Sequence, residues 1–332
     1  ASHISLGEIM NQLHKFKLLA IILSLTITAI TVSAQTTKEG TTAFQFLKVK
    51  PDARANGMAE AFSAVADNAD GVYYNPAGIT DAGHIEVSMS MYNYFADVQN
   101  MGGVLLYGNR IGTFALQYQY NDIGDILYAE NVTSLQDYQD LLISDNYFSP
   151  SHLMLGLTYA RAVTNKFSFG ISAKYVEEDL VYSSDNQWLF DGGVLYRSGW
   201  RSLRTSAVVR HFGDDIVFEE KGFSAPQVLI LGVAAELFGP AGGIVGSNQN
   251  QRLTLATDLV APRDYDQQYN LGLEWSLNEK FFLRGGYKVN YLSEGLALGA
   301  GVALGKFRFD YAYNDYDDFL HYVQRFSLTF EM

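Results

Sequence analysis

FQFLKVKPDARANGMAEAFSAVADNADGVYYNPAGI, residues 44–79, is unlike the rest of the chain. It is rich in alanine, carries Asp52, Arg54, Glu60, Asp67 and Asp70, and closes on Asn75-Pro76-Ala77-Gly78. Pro76 fixes its own φ and pushes Asn75 out of the helical region. Gly78 is free to take a positive φ, so these four residues read as a rigid turn. Downstream the sequence settles into short alternating segments and keeps that rhythm. We read residues 44–79 as a plug held inside a barrel that the later segments build.

From residue 84 onward, period-2 segments run near 84–95, 101–107, 111–121, 151–161, 167–176, 188–197, 203–212, 227–237, 252–260, 268–277, 281–290, 295–304, 307–313 and 322–332. Fourteen is an even number, as single-chain bacterial barrels have. Leu153, Leu155, Leu157 and Tyr159 fall on one face, and Met154, Gly156, Thr158 and Ala160 on the other. In hydrocarbon every backbone polar group must pair internally, so such a sheet has to close. The bulky face then meets lipid, and the other face, largely Gly, Ser, Ala and Thr, lines the lumen. This is an all-β transmembrane antiparallel barrel with the plug in its lumen.

With the plug at the periplasmic mouth, connections alternate between external and periplasmic. The periplasmic ones are short, such as 108–110 and 278–280, with 238–251 the poorest fit; the longest external one is 122–150. External connections carry Asp122, Asp125, Glu177, Glu178, Asp214, Asp215, Asp264 and Asp266, against Lys221 and Arg263. Periplasmic turns carry Arg110, Lys166, Arg197, Arg201, Lys280 and Lys306, against Glu279. A soluble sandwich has no reason to sort charge by the parity of its connections.

Composition agrees. The formal net charge of −13 argues against a nucleic-acid partner, and the absence of cysteine excludes disulfides, thiolate metal sites and a catalytic Cys. Tyr (22) and Phe (21) suit interfacial girdles. Lys15 and Lys17, the apolar run 18–30 and Val32-Ser33-Ala34 read as an export signal cleaved near Ala34, with Met10 as the start and Gln35 as the mature N-terminus. An anchor helix is the competing reading, but the apolar run is too short for one. The expected organisation is upstream residues plus signal over 1–34, plug over 35–83 and barrel over 84–332, exported through the Sec pathway to the bacterial outer membrane.

The plug resembles the N-terminal signature of the PorV/PorQ family of Bacteroidetes-type outer-membrane proteins, itself related to the FadL long-chain fatty acid transporters. The likeness sits on Phe46-Leu47, Ala53-Arg54-Ala55, Gly57-Met58, Ala61, Ala64, Ala66-Asp67 and Asn75-Pro76-Ala77-Gly78, with residues 321–328 similar to the family's closing strand. Ala59 stands where the family's Gly-Met-Gly has its second glycine. The resemblance implies a fourteen-stranded barrel with an N-terminal plug, associated with type IX secretion.

Candidate plug or gate residues are Asp52, Arg54, Gly57, Asn75, Pro76 and Gly78. Arg54 needs a lumen-facing acid such as Asp310 or Glu274, as a latch or as a gate. Strand glycines such as Gly102-Gly103, Gly192-Gly193 and Gly285-Gly286 mark bends or close approach to the plug. Asp315, Asp317 and Asp318 form a weak Ca²⁺ candidate, with a solvated surface as the blander reading. No histidine pair has zinc spacing, and Ser151-His152 has nothing to join it, so neither cofactor nor enzyme activity is expected. Residues 132–143 could form a small amphipathic helix, a lid or a partner surface. Expected partners are outer-membrane lipid or lipopolysaccharide, and a secretion translocon or secreted cargo domains through the acidic outer loops. The competing function is a transporter that takes a hydrophobic ligand such as a fatty acid.

Overall fold

The computed structural model describes residues 41–93, 98–127, 147–179, 184–218, 221–240, 242–316 and 321–332. The export signal, the 132–143 segment, Asp317 and Asp318 lie outside the described residues.

Fourteen long strands follow one another: β1 Ile85–Asn93, β2 Gln99–Asn109, β3 Gly112–Asp122, β4 Ser151–Ala162, β5 Phe167–Asp179, β6 Ser184–Arg197, β7 Arg204–Phe212, β8 Val228–Gly239, β9 Gln251–Pro262, β10 Gln268–Leu277, β11 Phe281–Val289, β12 Glu294–Leu304, β13 Phe307–Tyr316 and β14 Tyr322–Glu331. Each pairs antiparallel with the next, and β1 closes on β14 with Val87 opposite Phe330. Closure leaves no strand edge, which is what lipid demands. Every alternating segment in the sequence corresponds to one of these strands.

The two faces separate as the alternation requires. Leu155, Leu157, Ile171, Leu283 and Phe309 point outward and are exposed, while Met154, Thr158, Ser172, Arg284 and Asp310 are buried inside. Aromatic contacts gather toward both rims. Phe114–Tyr159 and Phe307–Phe330 lie toward the short-turn end, and Tyr175–Trp188 and Tyr313–Tyr322 toward the long-loop end. Such rings suit the two membrane interfaces. The long 238–251 connection, which fits a short turn badly, folds back so that Gly246–Ser247 runs parallel to the end of β8.

Residues ahead of β1 run inside the closed sheet. From 51 to 79 every residue except Asp67 is buried. The segment reaches Ser327 on β14, Asp258 on β9, the Val194 carbonyl on β6, and the Gly103 and Tyr118 carbonyls on β2 and β3. Only a chain within the lumen meets all those walls. The position expected for it, at the periplasmic mouth, needs correction. The Ala43 amide bonds the Ser224 carbonyl and Thr42 bonds Asp264 at the long-loop end, whereas Thr80 bonds Ser168 and Asp81 pairs with Arg197 at the short-turn end. The segment therefore runs the height of the barrel. It can do so because it is helical for only one turn, Ala53–Asn56, and for three 3₁₀ pieces. Extended residues advance more than twice as far as helical ones.

Two backbone positions differ from the expected turn chemistry. Gly78 is not at positive φ. It is glycine because a Cβ there would lie 2.2 Å from the Ala66 carbonyl oxygen. The left-handed residues of the segment are instead Phe44 (φ 51°), Ala59 (φ 51°) and Glu60 (φ 60°). Ala59→Gly relieves the left-handed penalty of about 1 kcal/mol and loses part of the gain to unfolded-chain entropy. A net stabilisation of about 0.5 kcal/mol is expected, read as a later heat-induced gel-mobility transition. An earlier transition would mean that the Ala59 methyl contributes more than its backbone costs.

Candidate functional site

Glu274 on β10 faces inward and is fully buried. Register sets it opposite Thr254 on β9 and Arg284 on β11. Arg54 of the inner segment donates to it twice, at 3.0 and 3.1 Å, Arg252 donates at 3.0 Å and Arg284 at 2.7 Å. Arg284 also donates to Asp310 at 2.7 Å, and Arg54 pairs with Asp67. A carboxylate offers about four acceptor sites, so Glu274 is filled by its three arginines. Of the two partners expected for Arg54, Glu274 takes it; Asp310 is engaged by Arg284 and Arg308. At the short-turn edge Glu279 is pushed up by partial burial, but bonds from Arg252 and Ser276 hold it below the ordinary glutamate range. This contact contributes where an unfolded glutamate is already ionised, and it is lost as pH falls through the lowered folded value.

The other expected plug residues are fitted against the wall or cap the segment. Asp52 caps the single helical turn by accepting from the Ala55 amide at 2.8 Å, and it also accepts from Tyr74. Asn75 donates to the Ser63 and Val194 carbonyls at 2.8 and 3.3 Å and accepts from the Ala77 amide at 3.0 Å. Pro76 lies on Gly170, where a Cβ would stand 2.3 Å from its carbonyl carbon, and Gly57 lies on Gly299, with 2.9 Å left for a Cβ. Asp315 is exposed at the outward end of β13. No metal-holding cluster occurs among the described residues.

Above the Glu274 hub, toward the long loops, the lumen keeps a cavity of about 590 Å³. Phe46 stands at its side, stacked on His152 at 4.8 Å between ring centroids. Val228, Ile230, Val260 and Leu292 supply apolar wall. Lys50 and Lys288 both bond Glu60, and Lys288 also pairs with Glu294. Asp258 accepts from the Phe62 amide and from the Ser63 amide and hydroxyl at 3.1, 2.9 and 2.7 Å. Deeper in the wall Lys174 pairs with Asp191, and Arg210 lines the cavity beside them. Lys48, at the rim, has its pKa lowered by burial against the opposing pull of Asp264.

The sequence reading did not single out Lys174, Asp191, Arg210, Asp258 or Lys288. The signal was present: each sits at an inward register position, one where a charge is costly unless paired. The wall is thus not the Gly, Ser, Ala and Thr surface expected of it, but small residues where the inner segment touches and charges between.

Residues 32–187 match the family model described as type IX secretion system protein PorV. Over those residues this outer-membrane-type barrel is similar to PorV. No curated protein matches it by sequence. Among solved structures, the PorV-like barrel is similar to the TodX deltaS2S3 mutant monoaromatic hydrocarbon channel, with TM-score 0.50, 12% identity, and coverage of 78% of this chain and 92% of that one. At this identity the likeness concerns the fold alone. A Pseudomonas aeruginosa FadL homologue has TM-score 0.48, 10% identity and coverage of 84% and 97%. The Pseudomonas putida toluene transporter TodX has TM-score 0.49, 11% identity and coverage of 85% and 97%.

Proposed function

We propose that this barrel is a non-enzymatic, protein-binding component of the type IX secretion machinery, which holds a translocon subunit or a secreted domain at its long-loop end. The observation that carries this reading is the buried segment 51–79, fastened by charge to the wall along the lumen. A lumen so filled leaves the loops as the working surface. Those loops are acidic, and Asp125, Asp214 and Asp215 are exposed there. An acidic rim favours a partner of opposite charge and speeds its approach. The test is isolation of the tagged barrel from its native outer membrane. Wild type is expected to bring down translocon or secreted proteins. A variant with Asp125, Asp214 and Asp215 all changed to Asn is expected to recover several-fold less, with little change in stability. Isolation of the barrel alone would refute the proposal.

A second reading, transport of a hydrophobic small molecule, draws on the apolar wall of the 590 Å³ cavity. Passage would need the inner segment to leave its ion pairs. Saturable binding of a long-chain acid, together with its movement into liposomes, would favour this reading over the first.

A further inference from the structure

The net charge of the chain is negative, yet one arc of the short-turn rim reverses that sign. Three adjacent turns, β2–β3, β4–β5 and β6–β7, carry no acid over residues 108–112, 161–168 and 197–204. They do carry Arg110, Arg161, Lys166 and Arg201, all exposed. Among the described residues no ion pair holds Arg110, Arg161 or Lys166. Asp81 approaches the arc and is taken by Arg197. The other short connections are not like this. The stretch 238–251 has no charged residue, the β10–β11 turn sets Lys280 beside Glu279, and the β12–β13 turn offers Lys306 alone.

The three turns are fastened to one another. The Tyr159 hydroxyl donates to the Ile111 carbonyl at 2.8 Å, and the Arg197 amide donates to the Lys166 carbonyl at 2.7 Å. A Cβ at Gly199 would stand 2.7 Å from Lys166 Nζ, so that ammonium rests on the β6–β7 turn. Arg201 donates to the Gly243 carbonyl at 2.8 Å and keeps the rest of its fork free for an acceptor. The cations are thus held near one another before anything binds, which lowers the entropy a ligand must overcome.

Their surroundings say what they face. Arg161 follows Tyr159 on the lipid side of β4 and lies opposite Phe169 on β5. Ile111, Val163 and Trp200 are exposed on the same turns. Such side chains belong at the edge of the hydrocarbon, and long cationic side chains beside them reach the headgroup level. A patch built for a soluble acidic protein would face water rather than carry this apolar fringe. Guanidinium and ammonium groups suit phosphate oxygens. A zwitterionic headgroup brings its own cation with its phosphate, and four unpaired basic residues repel it.

We infer that this arc binds the phosphate headgroup of an anionic phospholipid in the periplasmic leaflet, with Ile111, Val163 and Trp200 against its acyl chains. The site lies on the outside of the barrel, at the end opposite the acidic loops, and is independent of what those loops hold.

The test uses the purified full-length barrel in nanodiscs made from equimolar phosphatidylglycerol and phosphatidylcholine of the same chains. The barrel is released gently, and the lipids it keeps are counted by native mass spectrometry. Each basic residue beside an anionic surface is worth about a fivefold preference, so phosphatidylglycerol should be enriched at least about tenfold. Added salt should lower the enrichment. The triple variant Arg110→Gln, Arg161→Gln, Lys166→Gln should bring it close to parity. The double variant Lys280→Gln, Lys306→Gln, on the far side of the rim, should leave most of it. All five positions are exposed, so little stability is lost, and heat-dependent gel mobility checks that each barrel is closed. Equal retention of the two lipids by wild type would overturn the inference. So would an equal fall in both variants, which would mean a diffuse rim charge without a site. Loss of an acidic periplasmic protein from native-membrane isolates of the triple variant, with no lipid preference in wild type, would assign the arc to a protein instead.

Discussion

Glu274→Gln is expected to cost about 3–5 kcal/mol, the range for removing one partner of a buried ion pair. Three guanidiniums, from Arg54, Arg252 and Arg284, converge on this carboxylate, and it is fully buried. The amide keeps the shape, removes the negative charge and cannot accept from all three. Arg54→Met should cost less, because Glu274 keeps its two wall arginines and Asp67 lies partly exposed. Thermal unfolding in detergent, followed by loss of the fast-migrating folded band, measures both variants. Equal losses, or a loss for Glu274→Gln below about 1 kcal/mol, would show that the hub is not what fastens the segment.

The second large effect comes from the wall. Gly170→Leu places a side chain where even a Cβ would stand 2.3 Å from the Pro76 carbonyl carbon. Overpacking a fitted interior costs about 1–3 kcal/mol, and here the obstructing atoms are backbone, which has little room to yield. The β5 hydrogen bonds and its lipid face are untouched, so the barrel should close while the Asn75-Pro76 turn is expelled. The expected result is a gain of conductance in planar bilayers, together with faster tryptic cleavage at Lys48 and Arg54, Lys50 being protected by Pro51 in either case. Gly285→Leu is the control, because a Cβ at Gly285 meets nothing within 4 Å. Conductance and cleavage unchanged from wild type would mean that the lumen tolerates the side chain without releasing the segment.

The strands were legible because lipid writes the alternation. The reading at 268–277 coincides with β10, and that at 151–161 falls one residue short of β4. The pattern faded where the strands leave the membrane. β6 begins at Ser184 rather than Trp188, and β13 continues to Tyr316 rather than Tyr313. Water tolerates polar side chains on both faces there, so no period remains to be read.

The inner segment was legible as a unit but not in its course. Its composition marked it as different, yet the height it spans depends on how much of it is helical. Alanine's preference for helix is overruled here by contacts with the wall.

What the sequence determined alone was local and periodic: fourteen strands, which face meets lipid, and which end of the barrel carries the acids. What only the tertiary structure decided was which inward charges meet. Arg54 and Glu274 are 220 positions apart, and Glu60 and Lys288 are 228 apart. Alternation shows that a side chain points inward. It does not give its height or its neighbour across the lumen, because those follow from strand stagger on closure and from the path of the segment within. That Lys174 and Arg210 meet on the one carboxylate of Asp191 becomes visible only when that closed interior is assembled.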